Sequence, residues 1–297
     1  MKRLKGLIAA PHTPFNVDGS VNYPEIDKIA KHLIATGVKG IYACGTTGEG
    51  IQCSVAERKA IAEAWVEAIN GKMDIILHTG ALSIVDTIEL TKHAETLDIL
   101  ATSVIAPSFF KPGSIADLVE YCATVAAAAP SKEFYYYHSG MSGVMLDMEQ
   151  FLIEADKRIP NLAGVKFNHV DIYEYQRCVR VLDGKFNIPW GVDEFLPAAL
   201  AVGAESAVGS TYNYAADHFN SIIESFNAGD IKEVNKKMDA VIALIRVLVE
   251  FGGVAAGKVA MQLHGIDAGN PRLPIRTLTE SQKEVVLNKM QNAGFHQ

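Results

Sequence analysis

The residue with the most chemistry to offer in this sequence is the lysine set between Val165 and Phe167 in the run Gly164-Val165-Lys166-Phe167. Strand alternation turns Lys166 to the face opposite its two neighbours. Burial there strips hydration from the ammonium, lowers its pKa and leaves an amine able to attack a ketone. The resulting Schiff base is an electron sink for breaking or forming a carbon–carbon bond. The structural alternative is a strand-end lysine whose stem packs on apolar surface while its head reaches water. Position alone leaves both open.

A phenol is the natural companion. In Phe134-Tyr135-Tyr136-Tyr137-His138, Tyr135 and Tyr137 share one face of a strand, and Tyr137 at its end could shuttle a proton toward an oxygen near an imine. Tyr135 and Tyr136, taken singly, read better as amphipathic core. Gly45-Thr46-Thr47-Gly48-Glu49-Gly50 sets glycines around two hydroxyls, so its backbone N–H groups can converge on a carboxylate. It lacks the Gly-Lys-Ser/Thr ending of a nucleotide-binding loop. Gly191-Val192-Asp193-Glu194 and Gly209-Ser210-Thr211-Tyr212-Asn213 offer carboxylates and a hydroxyl suited to a polyhydroxylated ligand. Asp193 could instead be the N-cap of a helix from Glu194. His12, His78, His138 and His169 all fall near strand ends, which raises a metal centre as a rival. No HxH or HExxH spacing supports one, and no metal is expected.

The elements that must position these residues alternate between apolar β-rich runs and helical segments. Eight runs are expected as strands: Gly6–Ala10, Gly40–Cys44, Asp74–His78, Ala101–Ala106, Phe134–Tyr137, Gly164–Phe167, Phe186–Trp190 and Ser206–Gly209. Ser54-Val55-Ala56-Glu57 is a capping box opening a helix over Ala56–Asn70. Asn22 and Pro24 start one that runs to Thr36, with Gly37 as its C-terminal glycine. Further helices are expected over Ser83–Leu97, Ser114–Ala129, Asp147–Arg158, Ile172–Leu182, Glu194–Val202 and Ala215–Asn227. The pattern predicts a closed (β/α)8 TIM barrel over 1–229, because an open sheet would have fewer strands and a glycine fingerprint after the first. Beyond Gly229 only helices follow (Asp230–Phe251, Gly253–His264, Thr279–Ala293), read as a C-terminal helical extension over 230–297. In a barrel the reactive side chains sit at the C-terminal strand ends, where those above fall.

Composition closes off other classes. Of 297 residues 49% are hydrophobic and 21% charged, which excludes disorder as the main state, and the net charge of −7 argues against a nucleic-acid footprint. No uncharged stretch approaches the roughly 18 residues of a membrane helix, and the basic start is followed by too short an apolar run for a signal peptide. Cys44, Cys53, Cys122 and Cys178 have no metal-type spacing and point to a reduced, cytoplasmic protein.

Together, Thr13-Pro14-Phe15, Gly45-Thr46-Thr47-Gly48-Glu49, the Tyr137 strand end and Gly164-Val165-Lys166-Phe167 resemble the class I pyruvate-dependent aldolases of the dihydrodipicolinate synthase / N-acetylneuraminate lyase family, over essentially the whole chain. Gly191-Val192-Asp193-Glu194 and Gly209-Ser210-Thr211-Tyr212-Asn213 are similar to the sugar-binding segments of its sialic acid branch. Ala127-Ala128-Ala129-Pro130 and Pro271-Arg272-Leu273-Pro274 are similar to that branch's animal-like members.

The resemblance implies retro-aldol cleavage of N-acetylneuraminate to N-acetylmannosamine and pyruvate, without metal or organic cofactor, by a homotetramer. It assigns the Schiff base to Lys166 and the proton to Tyr137. Thr46 and Thr47 would take the carboxylate, and Gly191, Asp193, Glu194 and Ser210 the sugar. Asn168 stands where these lyases commonly carry a hydroxyl residue, the loop after Tyr137 is one residue shorter and lacks its proline, and Ser108-Phe109-Phe110 has no tyrosine where the synthases donate one between subunits. The rivals are another aldehyde for the same chemistry (dihydrodipicolinate synthesis or a 2-keto-3-deoxy sugar acid), a metal-dependent aldolase or hydrolase, and a non-catalytic barrel that binds a keto acid or sialic acid. The loop after Tyr137 has no arginine to hold a second carboxylate, which favours the sugar.

Overall fold

The computed structural model describes residues 2–295; residues 1, 296 and 297, at the outer limits of the two expected segments, lie outside the described residues. The contacts of the chain gather into two compact units, Met1–Gly6 with Asp74–Val208, and Leu7–Met73 with Gly209–Gln297. Among the described residues the strands are β1 Gly6–Ala9, β2 Gly40–Ala43, β3 Asp74–His78, β4 Ala101–Ile105, β5 Glu133–Ser139, β6 Leu162–Asn168 and β7 Ser206–Gly209. The helices are α1 Tyr23–Ala35, α2 Val55–Ile69, α3 Ile84–Glu95, α4 Ile115–Ala126, α5 Met148–Asp156, α6 Ile172–Gly184, α7 Leu196–Ala201, α8 Ala216–Asn227, α9 Ile231–Phe251, α10 Gly253–Ala260 and α11 Glu280–Asn292. The expected strand–helix alternation is present.

In the first unit β3, β4, β5 and β6 pair in parallel, each with its successor. The aromatic, β-favouring run of β5 is buried on both faces, as parallel strands covered by helices are. The expected strand Phe186–Trp190 is less regular than its composition suggests. It is held by single bridges, Gly164 with Asn187, Phe167 with Trp190 and Trp190 with Ala207. Pro189 has no N–H to give, so this segment accepts from Phe167 at 2.9 Å through its carbonyl and forms no continuous ladder. A Cβ on Gly164 would stand 1.7 Å from the Asn187 carbonyl oxygen, so only glycine allows the approach. Phe167, Tyr175 and Trp190 pack together beside it, with centroids 4.8–6.1 Å apart.

The helices of this unit begin where short polar side chains can cap them: Ser83, Ser114, Asp147 and Asp171 each accept an N–H three residues on. The helix expected from Glu194 starts later. Asp193–Phe195 is a 3-10 turn and α7 begins at Leu196. Pro197 is tolerated in the first turn of α7, whereas a helix from Glu194 would require its missing amide.

In the second unit β1 and β2 pair in parallel with Ile8 opposite Gly40. The capping box of α2 forms in both directions, Ser54 accepting from the Glu57 N–H and Glu57 accepting from that of Ser54. Pro24 lies in the first turn of α1, and Gly37, at φ +75°, follows its end. Helices α9, α10 and α11 pack on one another. No single described helix is long and apolar enough to cross a membrane. Helices α9 and α10 have the length together, but the chain turns by 120° between them.

Candidate active site

Lys166 and Tyr137 stand directly opposite each other in the β5–β6 register. Both are buried, Lys166 at 6% exposure, and its Nζ lies 4.1 Å from the centre of the Tyr137 ring. Burial pushes the Lys166 pKa below that of an ordinary lysine; the Tyr137 hydroxyl, hydrogen-bonded to the amine, and the charge of Asp193 pull the other way. The snorkelling alternative is therefore excluded, and the amine lies against a phenol and within the field of the buried Asp193 carboxylate. Asp193 is not a helix cap: α7 is capped at Phe195, and no side-chain cap bond opens the turn at Asp193.

The neighbours of this pair have assigned work. Tyr135, on the Tyr137 face, donates to Asn187 Oδ1 at 3.2 Å, and Tyr136 packs on Phe151 at 5.0 Å, both as core. His78 Nε2 accepts the Ile105 N–H at 3.2 Å, which places the ring proton of neutral His78 on Nδ1, and the ring meets Tyr137 edge-on at 6.3 Å. Asn168 Nδ2 donates to Ser139 Oγ at 3.1 Å, joining the ends of β5 and β6. A Cβ on Gly191 would come within 2.8 Å of Asn168 Cβ, and the Gly191 N–H donates to the Phe167 carbonyl at 2.7 Å. Gly191 is partly exposed and Glu194 exposed.

In the second unit, β2 ends because Cys44 turns into the left-handed region at φ 57°, and the following loop closes on itself. Thr46 carbonyl accepts the Glu49 N–H at 3.0 Å, and Gly45 carbonyl accepts that of Gly50 at 3.1 Å. Gly50 lies where a Cβ would be 1.9 Å from the Cys44 oxygen. Thr46 is exposed and Thr47 half-buried, while Glu49 is enclosed. Ser210 is half-buried, and its carbonyl accepts from Asn213 Nδ2 at 2.8 Å. His12 is buried beside the Thr47 backbone. Burial, and then the Lys258 charge, push its pKa down to about 3.

What sequence reasoning missed lies beneath this loop. Glu49 Oε1 forms an ion pair with Lys258 Nζ at 2.8 Å, with both side chains at or below 1% exposure. Lys258 also donates to the Thr13 and Asn270 carbonyls at 2.9 and 3.3 Å and lies 4.1 Å from the Phe15 ring centre. The other Glu49 oxygen accepts the Arg272 N–H at 2.7 Å, while the Arg272 guanidinium grips Glu57 with two bonds of 2.9 and 2.5 Å. That grip holds the Glu57 carboxyl down at about 2. Glu49 and Arg272 are 223 residues apart, so no local pattern announces the cluster.

Parallel strands alternating with helices, and a lysine and a tyrosine side by side at the ends of adjacent strands, define an α/β protein of the (β/α)8 barrel class with added C-terminal helices. Residues 3–293 match the Dihydrodipicolinate synthetase family, and the chain belongs to it.

The chain is similar to the solved structure of an N-acetylneuraminate lyase (sialic acid aldolase) from Aliivibrio salmonicida. The two are 74% identical, with a TM-score of 0.99, over 100% of this chain and 99% of that one. It is also similar to the Proteus mirabilis N-acetylneuraminate lyase, at 67% identity and a TM-score of 0.98 over 99% of this chain and all of that one. A curated N-acetylneuraminate lyase from Mus musculus is 37% identical over 99% of this chain and 94% of its own length.

Proposed function

We propose that this chain is a sialic acid lyase that cleaves N-acetylneuraminate to N-acetylmannosamine and pyruvate through a Schiff base on Lys166. The observation that carries the reading is the buried amine of Lys166 against the Tyr137 phenol, in a chain 74% identical to a protein named for that reaction. The neutral amine attacks the C2 carbonyl of the open-chain keto acid, and water leaves, taking the Tyr137 phenol proton with it, to give the iminium beside a phenolate able to accept the next proton. The C3–C4 bond then breaks with its electron pair moving into the iminium as an enamine, while the C4 hydroxyl proton passes to Tyr137 and the aldehyde departs. Protonation of the enamine at C3 and hydrolysis return pyruvate and the free amine. Asp193, whose charge favours the cationic form of Lys166, stabilises the iminium by the same attraction.

Thr46 and Thr47 hold the keto-acid carboxylate on the glycine-rich loop, with Asn168 as a further contact. Gly191, Asp193, Glu194 and Ser210 receive the sugar. The barrel of 1–229 is the catalytic part and 230–297 a helical extension. The protein works in the cytoplasm as a homotetramer; its four cysteines are unbonded and buried, and the edge-to-face pair Phe109 and Phe110, 78% and 84% exposed, suits a face covered by another subunit.

The test is mass spectrometry after borohydride reduction in the presence of pyruvate. A single pyruvate-derived adduct on Lys166, absent from Lys166→Ala, is expected. No adduct, or one that survives the substitution, refutes the assignment. Release of pyruvate from N-acetylneuraminate, compared with 2-keto-3-deoxy sugar acids, then identifies the aldehyde partner.

A further inference from the structure

On the face of β5 and β6 opposite the lysine and the tyrosine, the structure assigns a binding site for one first-row divalent transition ion, built from His138, His169 and Glu174. One ligand atom from each of the three lies within 4.8 Å of the other two. His138 is fully buried, and both of its ring nitrogens lack a hydrogen-bond partner; His169 Nδ1 is buried and unpartnered as well. Buried imidazole nitrogens nearly always have a partner, and two rings without one, aimed at a common carboxylate, describe a place for something the protein itself does not supply.

The carboxylate is set for the task. Glu174 Oε1 accepts the Met148 N–H at 2.8 Å, and its own N–H donates to Asp171, so the side chain is fixed at the first turn of α6. This is the outer-shell support that metal ligands require. The rings are held by packing, His138 against Phe167 at 5.1 Å and edge-on to His169 at 5.9 Å. Two imidazoles and one carboxylate select zinc, cobalt or nickel over magnesium or calcium, which want oxygen throughout. Bonds of about 2.0–2.2 Å place tetrahedral ligand atoms roughly 3.5 Å apart. The half-exposed His169 must therefore close on the fixed His138, and a water completes the fourth position.

The ion would join three elements, the end of β5, the loop after β6 and the start of α6, directly behind the catalytic pair. Because His138 and Tyr137 are successive residues of one strand, they face opposite ways, so no step of the cleavage passes through the ion. Its role is to pin the strand ends.

Calorimetric titration of ZnCl2 into the chelator-stripped full-length protein should show one ion per chain and raise the Tm by several degrees. CoCl2 should give the visible absorption of a low-coordinate site. His169→Gln and Glu174→Gln should each weaken zinc at least tenfold and abolish the cobalt spectrum, while still trapping pyruvate on Lys166 as proof of folding. Zinc binding as tight in either trapping-competent variant as in the parent, or no ion retained by the parent, overturns the site.

Discussion

Replacing Lys258 by methionine tests whether the ion pair under the glycine-rich loop holds the second unit together. Methionine keeps most of the volume and the contact with Phe15, so the loss is confined to charge and hydrogen bonds. Glu49 keeps the Arg272 N–H at 2.7 Å but loses its counter-charge at 2.8 Å, in a setting where neither side chain is more than 1% exposed. Removing one partner of a buried pair costs about 3–5 kcal/mol, because the remaining charge is uncompensated. At roughly 2–4 °C per kcal/mol for a large domain, the melting temperature should fall by about 6–20 °C. Adding Glu49→Gln removes the stranded charge and leaves the Thr13 and Asn270 carbonyls short of a donor, a cost of about 1–3 kcal/mol. The double variant should therefore be more stable than Lys258→Met alone, a sign reversal that mere loss of packing would not produce. Urea midpoints at pH 7 read both effects. A Lys258→Met variant within about 1 kcal/mol of the parent, or a double variant no better than the single, would refute the reasoning.

Tyr137→Phe should retain the borohydride-trapped pyruvate adduct on Lys166 while slowing sugar cleavage by about 10²–10⁴-fold, the usual worth of a positioned proton carrier; equal cleavage rates would remove the phenol from the reaction. His12 has its folded pKa depressed to about 3 from 6.5, so unfolding takes up a proton below pH 6.5 and stability falls as the pH drops through that value. Between pH 6.5 and 5 the parent should lose about 1.6 kcal/mol more than His12→Gln, the slope rising toward about 1.4 kcal/mol per pH unit as the unfolded ring becomes fully protonated. Parallel urea midpoints for the two across that range would contradict the burial of a neutral ring.

The features legible in the sequence were those whose cause is local. The capping box at Ser54 depends on residues three apart, and strand alternation turns Lys166 away from Val165 and Phe167 and puts Tyr137 on the Tyr135 face, while the burial of Lys166 and its register with Tyr137 come only with the folded strands. Asp193 shows the limit of such reading, since cap and ligand chemistry look alike until Pro197 is seen to delay the helix to Leu196. The segment Phe186–Trp190 was expected as a regular strand, but Pro189 and the close approach of Asn187 to Gly164 leave it only single bridges. Lys258 is invisible in the sequence because two of its partners, Thr13 and Glu49, lie at the other end of the chain and the third, the Asn270 carbonyl, carries no side-chain signal. The strand-end positions of His138 and His169 are legible in the sequence, but the Glu174 carboxylate that faces them from the first turn of α6 is not.

The pleat of β5 also constrains how this chain can vary in length. A residue deleted between Phe134 and Tyr137 would present the His138 imidazole to Lys166 and bury the Tyr137 phenol among the helices, exchanging the two chemistries at a stroke, whereas one inserted ahead of Tyr136 would bring Tyr136 opposite the lysine. Variation in length is harmless only once the ladder has ended, beyond Ser139 opposite Asn168. The Gly140–Ser142 turn begins there, so descendants of this sequence are free to lengthen or shorten that turn and must keep the reading frame of the strand before it.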